Sequence, residues 1–162
     1  MPHSAIWPWT STSTRGPALG SVLVNADGTL FTIGNGAQGM THVRHDKEHA
    51  QEFNLVQCAV CDLYQKRRDE AKKFLGLTDA DAFSDHRKLL ERKDIQAIID
   101  GTPDHWHTPI SVAAMRAGKD VYVEKPMARN MEELIRATDA VKAAKIVVQV
   151  GTQIRSLPTS TG

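Results

Sequence analysis

From about residue 21 onward the chain alternates between two hydrophobic periods, and this alternation constrains its fold more than any other feature. Short apolar or β-branched runs occur at Leu30 to Ile33, Leu55 to Cys61, Ala97 to Ile99, Val121 to Val123 and Ile146 to Val150. Longer amphipathic segments separate them. Strands that alternate with helix-length segments are joined by crossovers, which predicts an α/β fold. The specific expectation is a doubly wound parallel sheet, three layers thick, with helices on both faces and strand order 3-2-1-4-5-6.

The ends of the predicted elements carry signals of their own. Thr108 followed by Pro109 reads as an N-cap with proline in the first helical position, and Gly118 closes that helix after Arg116 and Ala117. Asn130 with Glu133 gives a capping-box-like start to a later helix, on which Leu134, Thr138 and Val141 share a face. After the acidic loop DADA, Phe83 to Asp85 reads as a weak third strand, followed by a helix containing Lys88, Leu89 and Leu90.

Three loops that follow predicted strands carry chemistry. In FTIGNGAQGMTH, Gly34, Gly36 and Gly39 form G-x-G-x-x-G between a strand and a helix. The first glycine permits a tight turn, the second lets backbone approach a pyrophosphate, and the third lets helix pack on strand, with the helix amides facing the phosphates. The next strand ends at Asp62, somewhat beyond the usual roughly 20 residues, where a carboxylate bonds ribose hydroxyls and favours NAD over NADP. Arg67 and Arg68 read as solvated helix charges, with service to a 2′-phosphate as the alternative. The second loop, GTPDHWHTP, places Pro103, Asp104, His105, Trp106 and His107 where ligands of an open parallel sheet sit. Two histidines separated by one residue satisfy local hydrogen bonds more often than they ligate metal, so no metal is expected.

The third loop ends the run VYVEKPM. Lys125 at a strand's carboxyl end, beside the same crevice, is placed to donate to a nicotinamide carboxamide or a substrate oxygen and to assist proton transfer. Glu124 is expected to hold its ammonium group. The alternative is a solvated Glu-Lys pair with proline ending the strand.

Together the three loops resemble the nucleotide-binding half of the Gfo/Idh/MocA oxidoreductases. The matching residues are the glycines Gly34, Gly36 and Gly39, Asp62, the TPxxxH pattern of Thr102, Pro103 and His107, AGKDVYVEKPM at 117–127 and VVQVGTQIRS at 147–156. The resemblance covers roughly residues 29–158. It implies a Rossmann domain using NAD, with NADP as the alternative, to move hydride to or from a hydroxyl-bearing carbon of a sugar, cyclitol or related polyol. It implies cofactor contacts at Gly34, Gly36, Ala37, Gln38, Gly39, Asp62, Thr102, Pro103, His107, Glu124 and Lys125, a catalytic role for Lys125, and a cis peptide before Pro126. Family members continue into a second α/β domain that forms the substrate pocket and, usually, an oligomer interface. The chain therefore reads as a truncated member, with a nucleotide-binding module inactive on its own as the alternative function, and homo-oligomerisation is expected of a full-length form.

Composition bounds the remainder. With 162 residues and 41% hydrophobic content the chain buries one ordinary core. The expected division is a disordered leader over 1–20, a dinucleotide-binding domain over 21–158 and a short end at 159–162. For Trp7 and Trp9 in the leader, docking on the domain and no role at all both stay open. Lys and Arg total 20 against 19 Asp and Glu, a net charge of +1, without the basic footprint of a nucleic-acid binder. The first residues do not read as a secretion signal, and no run of about 18 apolar residues suggests a membrane span. A cytoplasmic location is expected, which leaves export of a longer relative open. Cys58 and Cys61 sit in the apolar run LVQCAVCDL without a second pair, and read as buried strand cysteines.

Overall fold

A computed structural model describes residues 28–34, 36–52 and 54–152. The expected leader at 1–20 with its two tryptophans, Asn35 of the glycine loop and the tail from residue 153 lie outside these residues.

The chain runs β1 (Gly28–Ile33), α1 (Ala37–Glu48), β2 (Leu55–Cys61), α2 (Gln65–Leu75), β3 (Ala82–Phe83), α3 (His86–Leu90), β4 (Ala97–Asp100), α4 (Asp104–Arg116), β5 (Asp120–Glu124), α5 (Met131–Ala143) and β6 (Val148–Gly151). The strands form one six-stranded sheet in the order β3-β2-β1-β4-β5-β6. Every pairing is parallel. This is the expected doubly wound order. The chain proceeds outward from β1 to β3, then returns to pair β4 on the other side of β1, so strand order reverses between β1 and β4.

Burial follows the strand period. Ala59 and Cys61 enter one core with Ile98, Val121 and Val123, against Leu89 and Leu90 of α3 and Ile110, Ala114 and Met115 of α4. Val60, pointing the opposite way, joins Met40 and Val43 of α1 and Ala71 of α2. Helices therefore cover both faces, and all of β4 is buried. Among the described residues Cys58 and Cys61 form no disulfide, and burial pushes Cys61 up to about 12, which keeps it an inert core thiol.

Three local expectations shift. The acidic loop forms a single 3-10 turn over Asp79–Asp81, and the short edge strand begins at Ala82. Asn130 caps α5 by accepting from the Glu133 amide, but the Glu133 carboxylate accepts from the Arg129 amide, one residue further out than a capping box requires. On α5 the face that meets the core is Ala137, Ala140 and Val141, while Leu134 is 43% exposed. Small side chains face α4 because the two helices lie side by side over the same core.

Candidate functional site

The loops after β1 and β4 meet at the point where strand order reverses. The Gly34 amide donates to the Cys61 carbonyl (2.9 Å), and the Gly101 amide donates to the Ile33 carbonyl (2.9 Å). Gly34 has φ +79°, and a Cβ there would stand 2.7 Å from Thr102 backbone atoms. Only glycine fits. A Cβ on Gly101 would approach the Gly39 Cα to 3.2 Å, so α1 lies hard against the β4 loop at the third glycine of the motif. Gly36 is the N-cap of α1 and lends no side chain to its first amides, and no acidic residue stands in the first turn. The uncapped amides give the amino end of α1 a partial positive charge at the sheet's carboxyl edge, the kind of place that suits a phosphate.

Asp62 follows β2 on the same edge. Its carboxylate accepts from the Tyr64 amide at 2.8 Å. Arg68 donates to the Asp62 carbonyl at 2.7 Å, tying the loop to α2. Arg67 is exposed, in keeping with its reading as a solvated charge. Its guanidinium lies 3.4 Å from where a Gly36 Cβ would stand and beside the Tyr64 ring, with its central carbon 5.8 Å from the ring centroid.

The β4 loop is organised by buried Asp100. Its carboxylate accepts from the Thr102 hydroxyl (2.6 Å) and amide (3.3 Å) and from the Ser111 hydroxyl (3.2 Å). Burial pushes this carboxyl up to about 6, while these bonds and the neighbouring His107 pull it down. α4 then begins at Asp104, with extended Pro103 as N-cap, so Thr108 and Pro109 do not start the helix. Asp104 in the first turn suits the helix dipole. Pro109 has no amide to give the His105 carbonyl, and both residues lie on an exposed stretch of the helix. Thr108 is instead buried and donates its hydroxyl to the Met127 carbonyl at 2.7 Å. His107, also buried, bridges two loops: one ring nitrogen is 2.7 Å from the Thr102 carbonyl and the other 2.7 Å from the Pro126 carbonyl. With both nitrogens so engaged, the ring ties the crevice walls together.

The β5 loop contains a cis peptide between Lys125 and Pro126. Lys125 is exposed at the strand end. Glu124 is not placed as expected: among the described residues it forms no ion pair with the Lys125 ammonium, and its carboxylate turns inward to His42 Nε2 at 2.8 Å. Strand alternation accounts for the placement, because Glu124 lies on the same face of β5 as Tyr122, two residues earlier, and that face meets α1. Sequence reasoning missed Asp100, Ser111, Tyr122 and His42. The last had a signal: His42 lies four residues after Gln38, on the same helical face.

A Gly36 left open except for a flexible arginine end, uncapped helix amides and a carboxylate at the next strand end fit a dinucleotide, with Gly34, Gly36, Gly39 and the α1 amides to hold its pyrophosphate and Asp62 to hold its ribose. Among the described residues no cluster of three or more His, Cys, Asp or Glu is placed to hold a metal. None of the described helices is long and apolar enough to cross a membrane.

Fold and site together define a Rossmann-type dinucleotide domain. Residues 30–152 match the Gfo/Idh/MocA family, described as an oxidoreductase family with an NAD-binding Rossmann fold, and the chain belongs to it. It is 34% identical over 125 residues to an inositol 2-dehydrogenase of Klebsiella pneumoniae, covering 75% of this chain and 36% of that protein. A glycosyl hydrolase family 109 protein of Shewanella baltica is 34% identical over 115 residues, 66% of this chain and 24% of the relative. Among solved structures, a levoglucosan dehydrogenase in complex with NADH superposes with a TM-score of 0.74 at 30% identity, over 82% of this chain and 37% of that one. The chain thus spans little more than a third of the length of the dehydrogenases it resembles.

Proposed function

We propose that the domain binds NAD at the carboxyl edge of its sheet and serves an oxidoreductase that moves hydride between the nicotinamide and a hydroxyl-bearing carbon of a sugar, cyclitol or related polyol. The observation that carries this reading is the convergence of the glycine turn, Asp62 and the Lys125–Pro126 turn at one edge of the sheet, in a family whose members include inositol and levoglucosan dehydrogenases. Bound NAD supplies the hydride acceptor. The chain's own groups do the rest. Amides of α1 and the glycine turn take the pyrophosphate, Asp62 accepts from the adenosine ribose hydroxyls, and the loop of Thr102 and Pro103 lines the crevice. His107 keeps that loop against the Lys125–Pro126 turn. Lys125 takes the hydroxyl proton as the carbonyl forms and returns it in the reverse direction.

Titration of the purified chain with NADH and NADPH tests the cofactor half. NADH is expected to bind more tightly, and Asp62→Ala should erode the preference. Equal binding of both by the unaltered chain would remove the carboxylate assignment, and binding of neither would overturn the dinucleotide reading. For the 162-residue chain alone, polyol-dependent NADH formation is expected to be absent, so detecting it would show that substrate walls lie within these residues.

A further inference from the structure

The buried Glu124 carboxylate joins the two halves of the site. A carboxylate 4% exposed must be met by donors, and it has several. Its Oε1 accepts from His42 Nε2 (2.8 Å), Gln38 Nε2 (3.1 Å) and the Tyr122 hydroxyl (3.4 Å). Its Oε2 accepts from the Lys125 amide at 3.3 Å. The first two donors stand on α1, and Gln38 lies within the glycine motif itself. His42 is fully enclosed at 1% exposure, its ring edge-on to Tyr122 with centroids 5.0 Å apart. On the far side of the same turn, the Pro126 and Met127 carbonyls are held by His107 and Thr108.

We propose that His42, assisted by Gln38, is a positioning residue for Lys125: acting through Glu124, it locks the lysine-bearing turn to the helix whose amino end takes the pyrophosphate. The inference rests on the dinucleotide reading above and adds to it a physical link between phosphate binding and placement of the lysine. Well-packed apolar residues would stabilise such an interior as well as or better than a buried carboxylate and its donors. The distinctive yield of the His42 contact is direction. It fixes the Glu124 carboxylate, from which the Lys125 amide hangs, relative to α1. Without His42 the carboxylate loses a buried 2.8 Å hydrogen bond that ties it to α1, while Gln38 and Tyr122 stand further off at 3.1 and 3.4 Å.

Binding of NADH and of ADP-ribose to the full chain separates this role from a general one, because ADP-ribose has the phosphates but no nicotinamide. His42→Leu should weaken NADH by ~10-fold or more, the scale of one charge-assisted hydrogen bond, and ADP-ribose by less than about threefold. His42→Gln, which retains a side-chain donor, should recover most of the NADH affinity. Lys125→Met should give the same NADH-selective loss, and His42→Leu with Lys125→Met should lose little more than either alone, since both act through one group. Gln38→Leu, on an exposed position where folding is not at stake, should show a smaller NADH-selective loss. Equal losses for both ligands in His42→Leu, additive losses in the double variant, or an unchanged NADH affinity in both His42→Leu and Gln38→Leu would overturn the proposal while leaving the dinucleotide reading intact. Failure of the unaltered chain to bind either ligand would overturn both.

Discussion

Lys125 and Asp100 show how differently two charged residues are used at one sheet edge. Lys125 is exposed beyond a buried strand, so its substitution should reach chemistry before stability. In a longer chain that carries this domain and oxidises a polyol, Lys125→Met should lower turnover by roughly 10²–10⁴, the usual loss of a general acid or base and much more than its effect on NADH affinity. A variant with normal turnover but reduced stability would return Lys125 to a strand-end role. Asp100 is the reverse case. Burial holds its native carboxyl near 6, above the unfolded value of about 3.9, so between those values the folded state binds more protons than the unfolded. Its ionisation therefore opposes folding, and this contribution to stability is present at low pH and lost as pH rises through about 6. Compared with Asp100→Asn, the native chain should lose stability as pH rises between roughly pH 4 and 6, read from denaturant midpoints. A pH-independent difference would contradict the assignment.

At the scale of elements, the β1–α1 junction and α4 are shaped by their neighbours in space. Gly34 combines a positive φ with a 2.7 Å approach to Thr102 backbone, and neither can relax without parting β1 from the β4 loop. Gly34→Ala should cost at least about 2 kcal/mol of unfolding free energy, since strain and overlap act together. Gly36→Ala, which meets only the movable end of Arg67, should leave stability nearly unchanged but weaken NADH binding, so the pair of variants separates turn geometry from phosphate approach. For α4 the Thr108–Pro109 pair carries a helix-start pattern, yet the helix begins with Asp104. Once His107 and Thr108 reach the Pro126 and Met127 carbonyls, they belong to an already formed turn of helix, and a proline on its exposed side is tolerated.

Across the whole molecule, the central strands hold the crevice in place. β1 lies between β2 and β4, and β4 between β1 and β5, so three of the site's loops emerge from contiguous strands. Ile98, fully buried in β4, anchors this arrangement to the α3 and α4 layer. Ile98→Ala should cost about 2–5 kcal/mol by transfer and cavity effects. While the chain stays folded, NADH affinity should change little, since the side chain faces the core and not the carboxyl edge. A large affinity loss without a stability loss would show that the core and the site are coupled more directly than their separation suggests.

The alternation of apolar runs, the glycines of the first turn, Asp62 at the end of β2 and the Lys-Pro turn after β5 were legible because each depends on near neighbours along the chain: side-chain period, backbone freedom, and the end of a strand. They were enough for the parallel sheet, its strand order and a nicotinamide dinucleotide as the cofactor. What the residues alone did not decide is where buried polar groups turn. Glu124 beside Lys125 reads as its counter-ion, yet strand alternation sends the carboxylate to His42, 82 residues away along the chain. Arg67 reads as a solvated helix charge and is exposed, and only the packing of α2 shows that its guanidinium also stands beside Gly36. Asp100, Ser111 and Tyr122 match no motif, and acquire their roles only in the folded chain, where α4 brings Ser111 to the Asp100 carboxylate and β5 sets Tyr122 beside Glu124 and against His42. Local pattern chooses the elements, whereas the pairing of a buried carboxylate depends on which donors the packed sheet and helices deliver to it.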